Sequence, residues 1–152
     1  MLKYPNSVMM QKALELARKA YLIQEVPIGA IIVLKGRVIA QAYNQKENLQ
    51  DPTAHAEMIA IKKASHTMKS WHLENATIYV TLEPCPMCAY AIIQARLKQV
   101  VFGAYDPKAG AAGSVINLFK KKLFNHDVEV IGGILEEDCG QIIRRFFHDK
   151  RL

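Results

Sequence analysis

Two short apolar segments joined by one helix-length stretch constrain this chain more than any other feature. Residues 77–81 (TIYVT) are rich in β-branched and aromatic side chains and read as a strand; residues 99–103 (QVVFG) read as a second, buried one. Between them Pro84 stops the first strand, and Pro86 sits in the first turn of a helix running to about Leu97. Strands joined by such a crossover lie parallel, and a parallel pair needs cover on both faces.

The remaining segments fit around that unit. Residues 7–24 place Val8, Leu14, Ala17, Ala20 and Tyr21 at helical spacing, with Asn6 or Ser7 as N-cap. Residues 28–34 and 37–43 flank a Lys35-Gly36 turn and read as a β-hairpin. Residues 44–53 are a polar loop whose Asp51-Pro52-Thr53 end can cap a helix over 55–67. Beyond the crossover come a Gly/Ala loop over 106–114 and a short helical stretch around Leu118. A strand over 128–131 and a final helix over 136–150 close the chain. The expected fold is α/β, one mixed sheet between layers of helices.

At 152 residues, 51% of them hydrophobic and 22% charged, the chain suits a single domain spanning 1–152 and leaves disorder aside. No run of 18 apolar residues is present, so a membrane partner is not expected, and the N-terminal stretch lacks a signal-peptide core. A cytoplasmic location follows as the expectation. Lys and Arg exceed Asp and Glu by 20 to 14, a net charge of +6. The surplus gathers at Lys120, Lys121 and Lys122 and at Arg144, Arg145, Lys150 and Arg151. Such runs are solvated faces in the ordinary case and phosphate contacts when the partner is a polyanion. Three cysteines make a poor disulfide framework, and Cys139, standing by itself, reads as a small buried hydrophobe.

Chemistry concentrates in two short segments, His55-Ala56-Glu57 and Pro84-Cys85-Pro86-Met87-Cys88, each at a helix start. A C-x-x-C at a helix N-terminus puts two sulfurs on one side of the first turn, where the helix dipole favours thiolate. With one imidazole the set offers one nitrogen and two sulfurs, good ligands for Zn2+, and three protein ligands leave a position open for water. Glu57, two residues from His55, is placed to take and return a proton. A thioredoxin-like redox pair fits poorly beside Pro84 and the paired His-x-Glu. A closed zinc knuckle would need further Cys or His nearby, which Cys139, His66, His72 and His126 do not supply by spacing. H-x-E followed by P-C-x-x-C is the pattern of zinc deaminases acting on nucleobases.

The sequence resembles the bacterial tRNA-specific adenosine deaminases, the anticodon-wobble enzymes of the cytidine-deaminase-like superfamily. The matching segments are 25–30 (EVPIGA), 51–58 (DPTAHAEM), 79–88 (YVTLEPCPMC), 100–104 (VVFGA), 108–111 (KAGA), 113–114 (GS), 123–126 (LFNH) and 146–147 (FF), in order along nearly the whole chain. The resemblance implies a three-layer α/β/α fold with a five-stranded mixed sheet and a homodimer. It implies one Zn2+ per subunit on His55, Cys85 and Cys88, with Glu57 as proton shuttle. It further implies that Asn44 orients the target base or ribose, and that the backbone of Ala56 and of the Glu83-Pro84 turn holds the base edge. Val26, Pro27 and Ile28 would wall the pocket. Asp106 and Lys108 would meet the neighbouring nucleotides of a tRNA anticodon stem-loop. The basic final helix would lie against that loop, with one of Phe146 and Phe147 buried and Phe147 the candidate RNA contact. Tyr90 stands where many members carry a small residue, often Gly, which bears on local packing or the dimer surface.

Two other readings stay open at this level. A deaminase of the same fold could act on a free base or nucleoside such as guanine or cytidine, since the zinc motif is common to both. A non-catalytic, zinc-stabilised RNA-binding module is the other, against which stand Glu57 and the missing fourth protein ligand.

Overall fold

The hairpin nucleates one edge of the sheet. The chain is described by a computed structural model over residues 3–151, with side chains from Asn6 to Lys150. β1 (Gly29–Leu34) and β2 (Arg37–Tyr43) are antiparallel and meet through Lys35 and Gly36. Both turn residues have positive φ, 51° and 77°, as a two-residue turn matched to strand twist requires. β3 (Thr77–Leu82) pairs antiparallel with β1 and parallel with β4 (Gln99–Ala104). β5 (Glu129–Ile131) adds in parallel at the far edge, so the described residues form a five-stranded mixed sheet in the order β2-β1-β3-β4-β5.

Alternation along the strands divides two cores. Ala30 and Ile32, Ile78 and Val80, and Val100 and Phe102 face one cluster, which also takes Ala56, Ala60 and Ala64 of α2 (Ala56–Met68) and Ala89, Ile92 and Ile93 of α3 (Pro86–Gln94). Ile31, Tyr79 and Val101 face the other, filled by Met10, Leu14 and Ala17 of α1 (Lys3–Leu22) and Cys139 of α4 (Glu136–Arg151). The result is three layers, α/β/α. Gly29 marks the closest approach between layers: a Cβ there would run into the α1 backbone at Ala13 and Ala17.

Several boundaries differ from the sequence reading. α1 already includes residue 3, so Asn6 is inside it and is not its cap; its Oδ1 instead accepts a hydrogen bond from Tyr79 Oη at 3.1 Å. α3 ends at Gln94, short of Leu97, because Arg96 adopts φ +62° and the Ala95 carbonyl accepts from Leu73 N–H at 2.7 Å. The stretch around Leu118 is not helical. Leu118 N–H donates to Ala111 C=O, Gly113 N–H to Ile116 C=O, and Phe119 N–H to Asn117 Oδ1. Donors spent on long-range and side-chain acceptors are not available for a helical ladder. Asp51 does not cap α2 either; its carboxylate holds Thr53 N–H and Oγ1 at 2.8 and 2.7 Å. Cys139 is fully buried, as the apolar reading expects. The Arg151 side chain, part of the C-terminal basic cluster, lies outside the described residues.

Candidate active site

Helix capping explains how three donors converge. The N-cap of α2 is His55 and the N-cap of α3 is Cys85, and neither side chain caps its own helix. Both are aimed instead into the space between the two N-termini, at the end of the sheet where β3 stops. The imidazole Nδ1 of His55 lies 3.6 Å from Cys85 Sγ and 3.5 Å from Cys88 Sγ. All three donor atoms lie within 4.8 Å of one another, so the group can hold a metal ion. The positive N-terminal ends of two helices face it, and the Cys88 N–H bonds to the Cys85 sulfur, both of which favour thiolate.

The electrostatics are those of a tightly coupled cluster. The Cys88 thiol and then His55 hold Cys85 down to about 4, while contact with Cys85 and burial raise Cys88. Contact with Cys85 also raises His55. Glu57 is only 4% exposed, and burial pushes its carboxyl up to about 7 against the opposing pull of its own backbone N–H and of His55. A carboxyl in that range can both take and give a proton near neutral pH.

His55, Glu57 and Cys85 line a cavity of about 630 Å³, while Cys88 sits buried behind them. One wall comes from the segment after α1 and the loop after β2. Val26, Ile28 and Asn44 line it, with Asn44 buried and pinned by Nδ2 to the Val26 carbonyl at 3.3 Å. The opposite wall is the loop after β4, carrying Asp106 and Lys108, and the rim is α4 with Phe147. Phe146 is 4% exposed and stacks edge-on to Tyr21, whereas Phe147 is 43% exposed. Ala56, Pro27 and Pro84 are buried and do not line the cavity. In the Glu83-Pro84 turn, Glu83 N–H donates to Ala104 C=O and Pro84 C=O accepts from Ala111 N–H, both at 2.8 Å. Lys120, Lys121 and Lys122 are exposed and lie away from the cavity lining. Tyr90 lies on the exposed side of α3, edge-on to Phe124 at 5.2 Å and accepting from Gln94 Nε2.

Some lining residues carry no local signal in the sequence. Lys46, Tyr105, Glu136 and Glu137 reach the cavity through loop and helix placement alone, and Arg144 of the C-terminal basic cluster joins them, donating to Glu137 on the same helix at 2.9 Å. Two buried carboxylates act on the walls. Glu25 accepts from the N–H groups of Glu47 and Asn48, bracing the loop that follows Asn44. Glu83 accepts from the N–H groups of Asp106, Ala112 and Ser114 and from Ser114 Oγ. Burial drives the Glu83 carboxyl up, but these hydrogen bonds outweigh it and hold the group below the usual carboxylate range.

A profile described as MafB19-like deaminase matches residues 5–151. A tRNA-specific adenosine deaminase of Bacillus subtilis is 48% identical over 146 residues, covering 96% of this chain and 91% of that protein. The chain belongs to the tRNA-specific adenosine deaminase family. A solved structure from a study of A-to-I editing by tRNA:A34 deaminases at the wobble position of transfer RNA superposes on this deaminase with a TM-score of 0.85. It is 44% identical and covers 88% of this chain and 97% of that one. A guanine deaminase structure from Bacillus subtilis gives a TM-score of 0.62 at 38% identity, covering 64% of this chain and 63% of that one.

Proposed function

We propose that this protein hydrolyses adenosine to inosine at the wobble position, position 34, of a tRNA anticodon, using Zn2+ on His55, Cys85 and Cys88. The observation that carries the reading is the donor triangle beside Glu57 at the floor of a cavity large enough for a base. Bond lengths of about 2.0 Å to nitrogen and 2.3 Å to sulfur at a tetrahedral angle require N···S separations of about 3.5 Å. The separations found are 3.5 and 3.6 Å, so the residues fit the ion.

Zinc, when bound, supplies a water acidified toward neutrality as nucleophile. Glu57 would hold and move both protons: it would take one from the attacking water and pass it to ring N1, then take the remaining hydroxyl proton from the oxygen on C6 and deliver it to the departing amine. The C6–N6 bond breaks, ammonia leaves and inosine remains. Asn44, fixed by Val26, orients the base or ribose, and Val26 and Ile28 close its side. Of the backbone expected to hold the base edge, Glu83 lines the cavity, whereas Ala56 and Pro84 lie behind the lining. Asp106, Lys108 and Phe147 meet the neighbouring nucleotides, and the basic stretch of α4 gathers phosphates. An anticodon loop suits such a site because its bases are unpaired and cost little to extrude. Among the described residues no helix is long and apolar enough to cross a membrane. The same reading takes residues 1–152 as one deaminase domain, working as a cytoplasmic homodimer with one zinc per subunit.

The test uses zinc-quantified protein with a tRNA transcript carrying A at the wobble position and, in parallel, free adenosine, cytidine and guanine. Inosine at that single position with no ammonia from the free compounds is the expected outcome. Turnover of guanine and none of the RNA would keep the zinc chemistry and move the substrate to the class named for the guanine deaminase relative.

A further inference from the structure

Glu83 occupies an unusual position in the strap that joins β3 to α3. Two residues later comes Cys85, a candidate metal donor, and the same short segment therefore carries a thiol and a buried carboxylate. Glu83 is 2% exposed, and its carboxylate is hydrogen-bonded into the loop after β4. Oε1 accepts from Asp106 N–H at 2.9 Å and from Ser114 Oγ; Oε2 accepts from Ala112 N–H at 2.9 Å and Ser114 N–H at 3.1 Å. A carboxylate has about four lone-pair sites, and all are taken. The bonds grip both ends of the loop, so its intervening residues arch across a fixed anchor.

The fit of anchor and loop is close. A Cβ at Gly110 would run into the Glu83 carboxylate, so the loop can wrap it only with glycine there. Inside the arch Asp106 repeats the device on a smaller scale, its Oδ1 accepting from Lys108 N–H at 3.0 Å and Ala109 N–H at 3.2 Å. The residues so held, Asp106, Pro107, Lys108 and Ala109, are those that line the cavity wall opposite Asn44.

We infer that Glu83 is a positioning residue: through its four acceptor contacts it sets the 106–109 wall against the metal-donor segment, and so governs affinity for the RNA strand flanking the target base. The inference rests on the proposed function for its substrate. Glu83 takes no part in proton transfer, since every acceptor site is committed to the loop.

The test compares the zinc-loaded protein with its Glu83→Gln variant, which keeps the side-chain volume but turns an amide NH2 toward converging N–H donors. Residue-resolved hydrogen exchange is read alongside steady-state kinetics on an anticodon stem-loop carrying A at the wobble position. Exchange at the Asp106, Ala112 and Ser114 amides should quicken at least about tenfold, as loss of hydrogen bonds to a charged group implies. KM for the stem-loop should rise about tenfold while kcat falls less than about threefold, with zinc stoichiometry retained. Ser114→Ala removes one hydroxyl contact and should shift KM and exchange in the same direction by less; it decides the matter if Glu83→Gln fails to fold. Unchanged exchange at the three amides, a collapse of kcat at constant KM, or loss of zinc would overturn the inference. If the unaltered protein deaminates no RNA while Glu83→Gln still frees those amides, the functional reading fails and the anchoring of the loop stands.

Discussion

Glu57 and Glu83 both line one cavity, are only 4% and 2% exposed, and behave in opposite ways. Burial alone raises both. Glu57 meets little to oppose it beyond its own N–H, His55 and the Cys88 thiol, and its carboxyl rises to about 7. Glu83 meets three backbone N–H groups and a hydroxyl, and is held down. Low solvent exposure by itself thus does not decide how a carboxylate behaves, because Glu57 lies deeper in the protein than Glu83 and meets fewer donors. Depth and the number of donors aimed at the carboxylate together do. The same contrast appears in the helix starts, where His55 and Cys85 leave N-terminal N–H groups uncapped and turn to the site instead.

The comparison can be broken most forcefully at Glu57. Glu57→Gln should lower kcat at least about a thousandfold, the upper part of the range for general acid–base catalysis, and leave the bound zinc in place. Activity on the wobble-A transcript and metal content from the same preparation check this, and loss of metal with activity would make Glu57 a structural residue like Glu83.

A smaller effect comes from the Glu83 side. Gly110→Ala should destabilise the fold by about 1–3 kcal/mol in urea denaturation, because the new methyl must displace a carboxylate with no spare room. It should also raise KM for the stem-loop more than it lowers kcat; wild-type stability would mean that the loop does not depend on a close fit to Glu83.

The subtlest test uses pH. A carboxyl held below its unfolded value of about 4.3 stabilises the fold fully above that pH, and the contribution fades as pH falls through the folded value. The stability gap between the protein and its Glu83→Gln variant should be flat from pH 7 to about 5 and narrow below about pH 4. Parallel denaturation curves across that range show it. A gap that widens on acidification would mean the carboxyl is not held as an anion.

Much of this molecule is legible in its sequence. The hairpin shows in two apolar runs around Lys35-Gly36, and the crossover in β-rich segments either side of Pro84 and Pro86, because those signals are local in sequence. The donor set was equally plain, since His55, Glu57, Cys85 and Cys88 declare themselves by residue type and spacing. Around Leu118 the same reasoning failed: apolar spacing suggested a helix, but the N–H groups there are taken by Ala111 and Asn117. At the start of α2 the expectation of an Asp51 cap failed for a related reason, its carboxylate being satisfied two residues away by Thr53.

The layered α/β architecture, the family and the clustering of His55, Cys85 and Cys88 beside Glu57 are legible in the chain, because periodicity and ligand spacing depend on neighbours a few positions apart. Which carboxylate meets converging N–H donors and which meets few is visible in the fold alone. Glu25 and Glu83 find their partners 22 to 31 residues away, across loops whose paths are set by packing on the sheet. A glutamate's role follows from the donors that surround it, and those donors meet only when the chain has folded.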